Sequence, residues 1–427
     1  MRWRWFTVFG SAMLAGFAAP ASAEPGDTQV LTWPDGARAA VSVTMDDGYA
    51  NQWRYMAPLL ASRGYRGTFF LITSWMDAEN LWPAWQAVAA AGHEIGSHTV
   101  NHVGLTELDA AKVKEELETS RARIQKVIGP EHGRTFGFPF SKSSAATALA
   151  VEQAGYEAAR TGGEKTNPDT PQTMFLVQSR HPLAATPLAE MNGWVDEVKK
   201  SGGWLVVGVH GVVDAVQRYP ASHEGWEPVP LERYVAFVDH LAAAGSALWV
   251  APFGEAARYV RARTGAGVKV LERGPRQFVL EFVAPAASPP LSLRTELPET
   301  WAEVNVTGLG PALVVLSAPA NAEGKRFVTY RARPPATVTI WAAAVPVASQ
   351  ADAGPDARPT DRPMTVRRDA GPDGGEAVAP RSGCEVGGRG TSFGSSGWNP
   401  WLAVLLGWGS WRRRARRAGR AARNAES

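Results

Sequence analysis

Five residues in this chain have the types and spacing to hold a metal ion and move protons. Asp46 and Asp47 stand side by side in VTMDDGYANQW (43–53), His98 and His102 are four apart in GSHTVNH, and His210 lies at the end of LVVGVHG. One carboxylate and two imidazoles with open positions make a catalytic metal site, so Asp47, His98 and His102 are the candidate ligands. Asp46 then stays free as a general base, and a divalent ion relieves the repulsion between the adjacent carboxylates. His210 is the candidate acid for the leaving group. A base, a metal-activated water and an acid together make a hydrolase for amides or esters. The i, i+4 spacing of His98 and His102 is expected to turn both rings the same way on one helical turn. Each feature also has a plainer reading. Asp-Gly is a turn dipeptide, an H-x-x-x-H is often a surface pair, and a lone histidine is often a core residue bonded to a carbonyl. The same two-His, one-carboxylate set suits a non-haem iron oxygenase, although a paired second acid argues against it.

The positions of these residues favour the chemical reading. Apolar runs at 39–45, 67–72, 93–98, 135–140, 155–161, 205–211 and 247–253 alternate with helical or loop segments. The segment 107–129 is an amphipathic helix with Leu108, Val113, Leu117, Ile124 and Ile128 near one face. Strand–helix alternation means a parallel sheet, and seven repeats favour closure into an α/β barrel over residues 24–264. In such a barrel the C-terminal strand ends converge on one rim. Asp46, Asp47, His98 and His210 all fall at strand ends. Residues 265–345 read as a small all-β sandwich of alternating strands. Residues 346–382 are rich in Ala, Asp, Pro, Gly and Arg and read as a disordered linker.

The two ends carry their own signals. Residues 1–23 have arginines, an apolar run and Ala21-Ser22-Ala23, the pattern of a cleaved signal peptide. Residues 383–427 hold Gly383-Cys384, a short C-terminal hydrophobic segment from Trp398 to Trp411 and an arginine cluster. Nine of the 44 basic residues are arginines at the two ends, so the body between them is net acidic and no nucleic-acid partner is expected. The single cysteine excludes an intrachain disulfide. The sequence carries no signal for an oligomeric state.

These residues match a known pattern. TMDDG resembles the T-F-D-D-G motif of polysaccharide deacetylases of the NodB-homology type, carbohydrate esterase family 4. His98-Thr99-Val100-Asn101-His102 resembles that family's H-[ST]-x-x-H, FGFPF (136–140) its third motif, and VGVHG (207–211) its late histidine motif. The resemblance covers roughly residues 35–260. It implies a deformed (β/α)7 barrel and metal-dependent removal of acetyl groups, N- or O-linked, from an acetylated polysaccharide substrate. Asp46 would be the base, Asp47, His98 and His102 the metal ligands, and His210 the acid. A backbone N–H near Phe140 would help hold the oxyanion. Zinc is the expected ion, with cobalt or nickel as alternatives. Many members carry an arginine in the third motif that orients the base; here Gly137 stands in its place, and Arg160 in GYEAART is the candidate replacement. The missing arginine keeps open an alternative, a catalytically inactive surface glycan-binding protein with a deacetylase-like fold. The tail resembles the myxobacterial C-terminal sorting signal. That implies export, membrane contact through the tail before processing near Cys384, and display on the cell surface or outer envelope.

Overall fold

A computed structural model describes residues 24–215 and 224–343. The expected signal peptide (1–23), linker (346–382) and sorting tail (383–427) lie outside the described residues. A short strand β1 (Thr28–Val30) precedes β2 (Ala39–Asp47), which is buried along its whole length. Its run of Ala, Val, Ser and Thr suits a strand with neighbours on both edges and both faces. Then come β3 (Thr68–Leu71), β4 (Glu94–Ser97), β5 (Thr135–Gly137), β6 (Ala158–Thr161), β7 (Val177–Gln178) and β8 (Trp204–Val209). Strands β2 to β7 are parallel in chain order, and β8 pairs with the other edge of β2. The ring is drawn shut where Arg180, just past β7, bridges β8: its N–H donates to Val206 and its carbonyl accepts from Gly208, each at 2.9 Å. Beyond β8, β9 (Val212–Val213) and β10 (Val229–Pro230) form a small parallel pair. Strand β11 (Leu248–Val250) lies beside the first half of β2, below the point where β3 takes over the same edge.

The period-2 alternation of β2 sorts its side chains into two environments. Val41, Val43 and Met45 face outward and join a core with residues of the surrounding helices. These helices are α1 (Ala57–Ser62), α2 (Thr73–Ala78), α3 (Trp82–Ala90), α4 (Ala110–Val127), α6 (Leu188–Ser201) and α7 (Leu231–Ala243), whereas α5 (Ala145–Gln153) packs with α4 in a separate apolar cluster around Phe136 and Phe138. Helix α4 is the amphipathic helix read from the sequence; Asp109 caps it by accepting from the Lys112 N–H at 2.9 Å, and Val113, Leu117 and Ile124 are its buried face. The other set on β2, Ala40, Ser42, Thr44 and Asp46, points into the barrel. There the Ser42 hydroxyl accepts from the Trp204 indole N–H at 3.1 Å. Below them α8 (Phe253–Thr264) closes the barrel with Phe253, which stacks on Trp204 at 5.2 Å and meets Phe70 edge-on at 6.1 Å. Glu94 fastens that helix start by accepting from the Gly254 N–H and the hydroxyls of Thr68 and Thr135, at 2.9, 2.7 and 2.9 Å.

Strands β12 (Gly267–Arg273), β13 (Gln277–Val283), β14 (Leu291–Leu297), β15 (Glu303–Thr307), β16 (Val314–Ser317), β17 (Arg326–Ala332) and β18 (Ala336–Ala342) build the β-rich region. They form a five-stranded sheet in the order β12-β13-β18-β15-β16, and β14 and β17 form a second sheet. Two features differ from the sequence reading. Strand β1 lies inside the residues 24–264 read as barrel, but it pairs antiparallel with β14 and completes the second sheet. The expected boundary at 264/265 is also no break in packing, because Phe253, Tyr259 and Trp33 share one apolar core with Phe278, Leu293 and Ile340. All seven apolar runs are strands of the main sheet, and β7, only two residues long, is the strand the sequence did not announce.

Phe253 therefore closes the barrel and joins it to the sandwich. Phe253→Ala is expected to lower stability by about 3–5 kcal/mol, the usual cost of a large buried truncation. Denaturant unfolding measures it, and a loss below about 1 kcal/mol would show that the cavity collapses.

Candidate metal and catalytic site

The two aspartates part company at the end of β2. Asp46 continues the inward set of the strand and turns into the barrel. Asp47 takes a left-handed backbone conformation (φ 75°), as does Gly48 (φ 94°), and this ends the strand at the rim. Gly48 has no substitute here, since a Cβ would lie 2.8 Å from Met76 and 3.0 Å from Leu71. Adjacent carboxylates thus face different surroundings, and both are buried.

Asp47 faces two imidazoles. Its Oδ1 is 3.5 Å from His98 Nε2 and 3.3 Å from His102 Nε2. The histidines do not lie on a helical turn as their spacing suggested. They flank a loop with left-handed residues at Thr99 (φ 68°) and His102 (φ 55°). Such backbone must be held from outside. Glu116 of α4 accepts from the N–H groups of Val100 and Asn101 at 2.7 and 3.0 Å and from the Asn101 amide at 2.7 Å. Thr99 Oγ1 accepts from the His102 N–H at 2.9 Å, and the start of α2 donates to the carbonyls of Thr99 and Val100. His98 Nδ1 donates to the Gly137 carbonyl at 2.7 Å, which leaves Nε2 with its lone pair toward Asp47. The His102 ring lies tilted at 4.4 Å against Phe140, whose side chain is exposed on left-handed backbone (φ 57°).

The donor set fits a divalent cation. Asp47 Oδ1 is buried without a hydrogen-bond donor, and two neutral imidazole nitrogens point at it. Ligand atoms of Asp47, His98 and His102 all lie within 4.8 Å of one another, the only such group of three among the described residues. Burial and the neighbouring Asp46 charge push Asp47 up to about 7, while burial pulls His98 down to about 3 and also lowers His102. Tyr49 hydrogen-bonds this carboxylate, and a cation is the partner that Oδ1 lacks.

Asp46 has its own partner. Arg160 on β6 donates from Nη2 to Asp46 Oδ1, and both side chains are buried. Burial alone would raise the Asp46 pKa; the charges of Arg160 and then of the surrounding histidines outweigh it and hold the carboxyl well below the usual range. Gly137 explains why the arginine comes from β6. Gly137 and Arg160 are paired across β5 and β6, and a Cβ on Gly137 would sit 3.1 Å from Arg160 Nη2 and 3.0 Å from Phe70. On the opposite wall His210 Nε2 stands 3.9 Å from Asp46 Oδ2, and burial brings His210 down to about 4. Gln52 joins the two by donating its amide to the carbonyls of both Asp46 and His210. Trp226, 58% exposed, lies edge-on to His210 at 5.3 Å. All the residues singled out from the sequence, Asp46, Asp47, His98, His102, Phe140, Arg160 and His210, therefore line one rim. Gln52, Glu116 and His181 were not singled out. They act on the site through hydrogen bonds between distant segments, and no short motif announces such contacts.

Residues 34–159 match the polysaccharide deacetylase family. That match takes in Asp46, Asp47, His98 and His102 and stops just short of Arg160. A gellan lyase from a Bacillus species is 25% identical over 332 residues, 72% of this chain and 13% of that protein. A chitin deacetylase from a Pestalotiopsis species is 32% identical over 89 residues, 21% of this chain and 30% of that protein. The chain thus matches less than a third of the length of either relative. Among solved structures, a family 4 carbohydrate esterase from Streptomyces lividans in complex with acetate aligns with a TM-score of 0.34 at 17% identity, covering 50% of this chain and 92% of that one.

The anchoring of the histidine loop can be tested by zinc titration. Wild type is expected to take up one zinc per chain and His102→Ala to lose it. Glu116→Ala, which frees two loop N–H groups, should weaken zinc binding by about 10- to 100-fold with unchanged far-UV dichroism. Equal affinity in Glu116→Ala would show that the loop holds its shape without that carboxylate.

Proposed function

We propose that the chain hydrolyses acetyl groups from a carbohydrate polymer in a metal-dependent reaction. The observation that carries this reading is the split fate of the paired aspartates: Asp47 Oδ1 is buried without a donor between two imidazole nitrogens, while Asp46 beside it is kept ionised by Arg160. The family match over 34–159 supports the acetylated glycan as substrate. Asp47, His98 and His102 would hold the ion, zinc being the first choice and cobalt or nickel alternatives. A divalent cation in this position lowers the pKa of water toward about 7 and polarises a carbonyl. Asp46 takes the proton of the attacking water. Its basicity is set low by Arg160, so it acts as a carboxylate throughout the neutral range. The proton that Asp46 takes up is passed to the leaving nitrogen or oxygen by His210, whose Nε2 stands 3.9 Å from Asp46 Oδ2 on the opposite wall. The N–H of Phe140 is the proposed oxyanion donor. The inactive glycan-binding alternative drew its support from the absent third-motif arginine; the Arg160 contact to Asp46 removes that support.

Acetate release from a panel of acetylated glycans tests the reading. Wild type with zinc should release acetate from at least one polymer. Asp46→Asn should lower kcat by about 100- to 10,000-fold, the range for loss of a general base. Chelation should abolish release and added zinc restore it. Activity in Asp46→Asn equal to wild type would remove Asp46 as base, and silence on every glycan would remove the deacetylase reading. We further propose export to the cell surface, supported by the signal-like residues 1–23 and the sorting-like tail 383–427. Fractionation of cells making the full chain should find it in the envelope; a cytoplasmic pool alone would refute export.

A further inference from the structure

The Asp46–Arg160 pair is the inner end of a longer chain of polar groups. Arg160 Nη1 meets His181 Nε2 at 2.9 Å. A guanidinium is only a donor, so Nε2 is the acceptor and the imidazole proton sits on Nδ1. Nδ1 faces Glu164 Oε1 at 3.4 Å, and the Glu164 carboxylate also takes the His181 N–H at 3.3 Å. Ser179 Oγ lies 3.3 Å from Arg160 Nη1 and 3.4 Å from His181 Nε2, and donates to the Thr161 carbonyl at 2.8 Å. Phe70 underlies the guanidinium at 5.3 Å. Carboxylate, imidazole, guanidinium and carboxylate are thus lined up from Glu164 to Asp46.

Two absent side chains make room for this line. A Cβ on Gly137 would lie 3.1 Å from Arg160 Nη2, and one on Gly208 of β8 would lie 2.4 Å from His181 Nε2. The space that β5 and β8 give up is filled from β6 and from the segment after β7. His181 follows Arg180, the residue whose backbone closes the barrel ring, so the closure brings its imidazole beside β8. Its ring centroid is 6.0 Å from that of His210.

We propose that His181 is a positioning residue for the base: by accepting from Arg160 Nη1 it fixes the guanidinium so that Nη2 faces Asp46. The kinetic consequence rests on the hydrolase reading above, whereas the geometric one does not. Without the acceptor, Ser179 at 3.3 Å is the remaining partner of Nη1, and the direction of the guanidinium rests on that longer contact and on Asp46 alone.

The test compares the zinc-loaded full chain with His181→Phe, which keeps the ring shape and removes the acceptor, and His181→Gln, whose amide oxygen reaches about as far as Nε2. On a glycan that wild type hydrolyses, His181→Phe should lower kcat by about 10- to 100-fold with KM and zinc affinity little changed. His181→Gln should recover most of that loss. In an Arg160→Ala background His181→Phe should cost nothing more, because its effect passes through the arginine. Additive losses in that double variant, a Gln variant as impaired as the Phe one, or an unimpaired Phe variant would each overturn the proposal. If His181→Phe does not fold, His181→Asn, whose oxygen stays near Nδ1, removes the same acceptor. Crystal structures supply the readout that needs no activity: Arg160 Nη2 should leave Asp46 in the acceptor-less variant and stay in His181→Gln. An unmoved guanidinium overturns the proposal whatever the glycan assay shows. A wild type that releases no acetate overturns the proposed function and leaves this question to the crystal structures.

Discussion

Two carboxylates next to each other in sequence and both buried set the terms for everything around them. Neither can remain charged inside a protein without a compensating group, and each raises the cost of ionising the other. The chain resolves this by direction. The extended backbone sends Asp46 into the barrel, and a left-handed residue sends Asp47 to the rim. Once separated, they acquire different partners. A permanent cation, Arg160, answers the first. Two imidazoles answer the second, and they offer lone pairs rather than charge, because burial keeps both histidines neutral. A carboxylate beside two lone pairs is an arrangement that a divalent ion stabilises.

This arrangement stores strain, and the surrounding fold carries it. Asp47, Thr99, His102, Phe140 and Ser141 all have left-handed backbone without being glycine. Each such residue costs on the order of 1–3 kcal/mol, so the rim could not hold its shape as a free loop. The compensation comes from groups that do no chemistry. Glu116 and the first turn of α2 hold the histidine loop, Gln52 ties the carbonyls of Asp46 and His210, and Phe253 with Glu94 closes the barrel beneath. The sandwich belongs to the same scheme, since its core is continuous with the barrel floor through Trp33 and Tyr259.

The chemically distinctive residues were legible in the sequence because they sit at strand ends, and strands announce themselves by apolar runs. Asp46, Asp47, His98 and His210 follow such runs directly. What was illegible follows from how it is built. A strand of two residues, Val177–Gln178, is too short to show a period. The strand Thr28–Val30 is held by β14, more than 260 residues away, and carries no local mark of that partner. The i, i+4 spacing of His98 and His102 suggested a helical turn. Spacing alone cannot separate a helical turn from a loop whose shape is imposed by Glu116 and α2. His181 had no signal beyond lying after an apolar run, because its significance is a contact with Arg160 that only barrel closure creates.

Gly137 shows how a departure from a motif can be read as geometry. Residues 137 and 160 are directly paired on adjacent parallel strands, so their Cβ vectors point the same way into the barrel. The volume above them, over the face of Phe70, admits one guanidinium, since even a Cβ at 137 would press on the arginine at 160. The two positions therefore make up a single site for a single large cation, and which strand supplies it is a matter of indifference to Asp46. The choice of β6 does matter for the far end of the side chain. An arginine rooted there presents its second nitrogen to the segment after β7, where His181 and Ser179 stand. An arginine on β6 thus brings the closing edge of the barrel into contact with the group that pairs with Asp46. The same closure that completes the ring brings His181 and Ser179 against the group that holds Asp46 ionised.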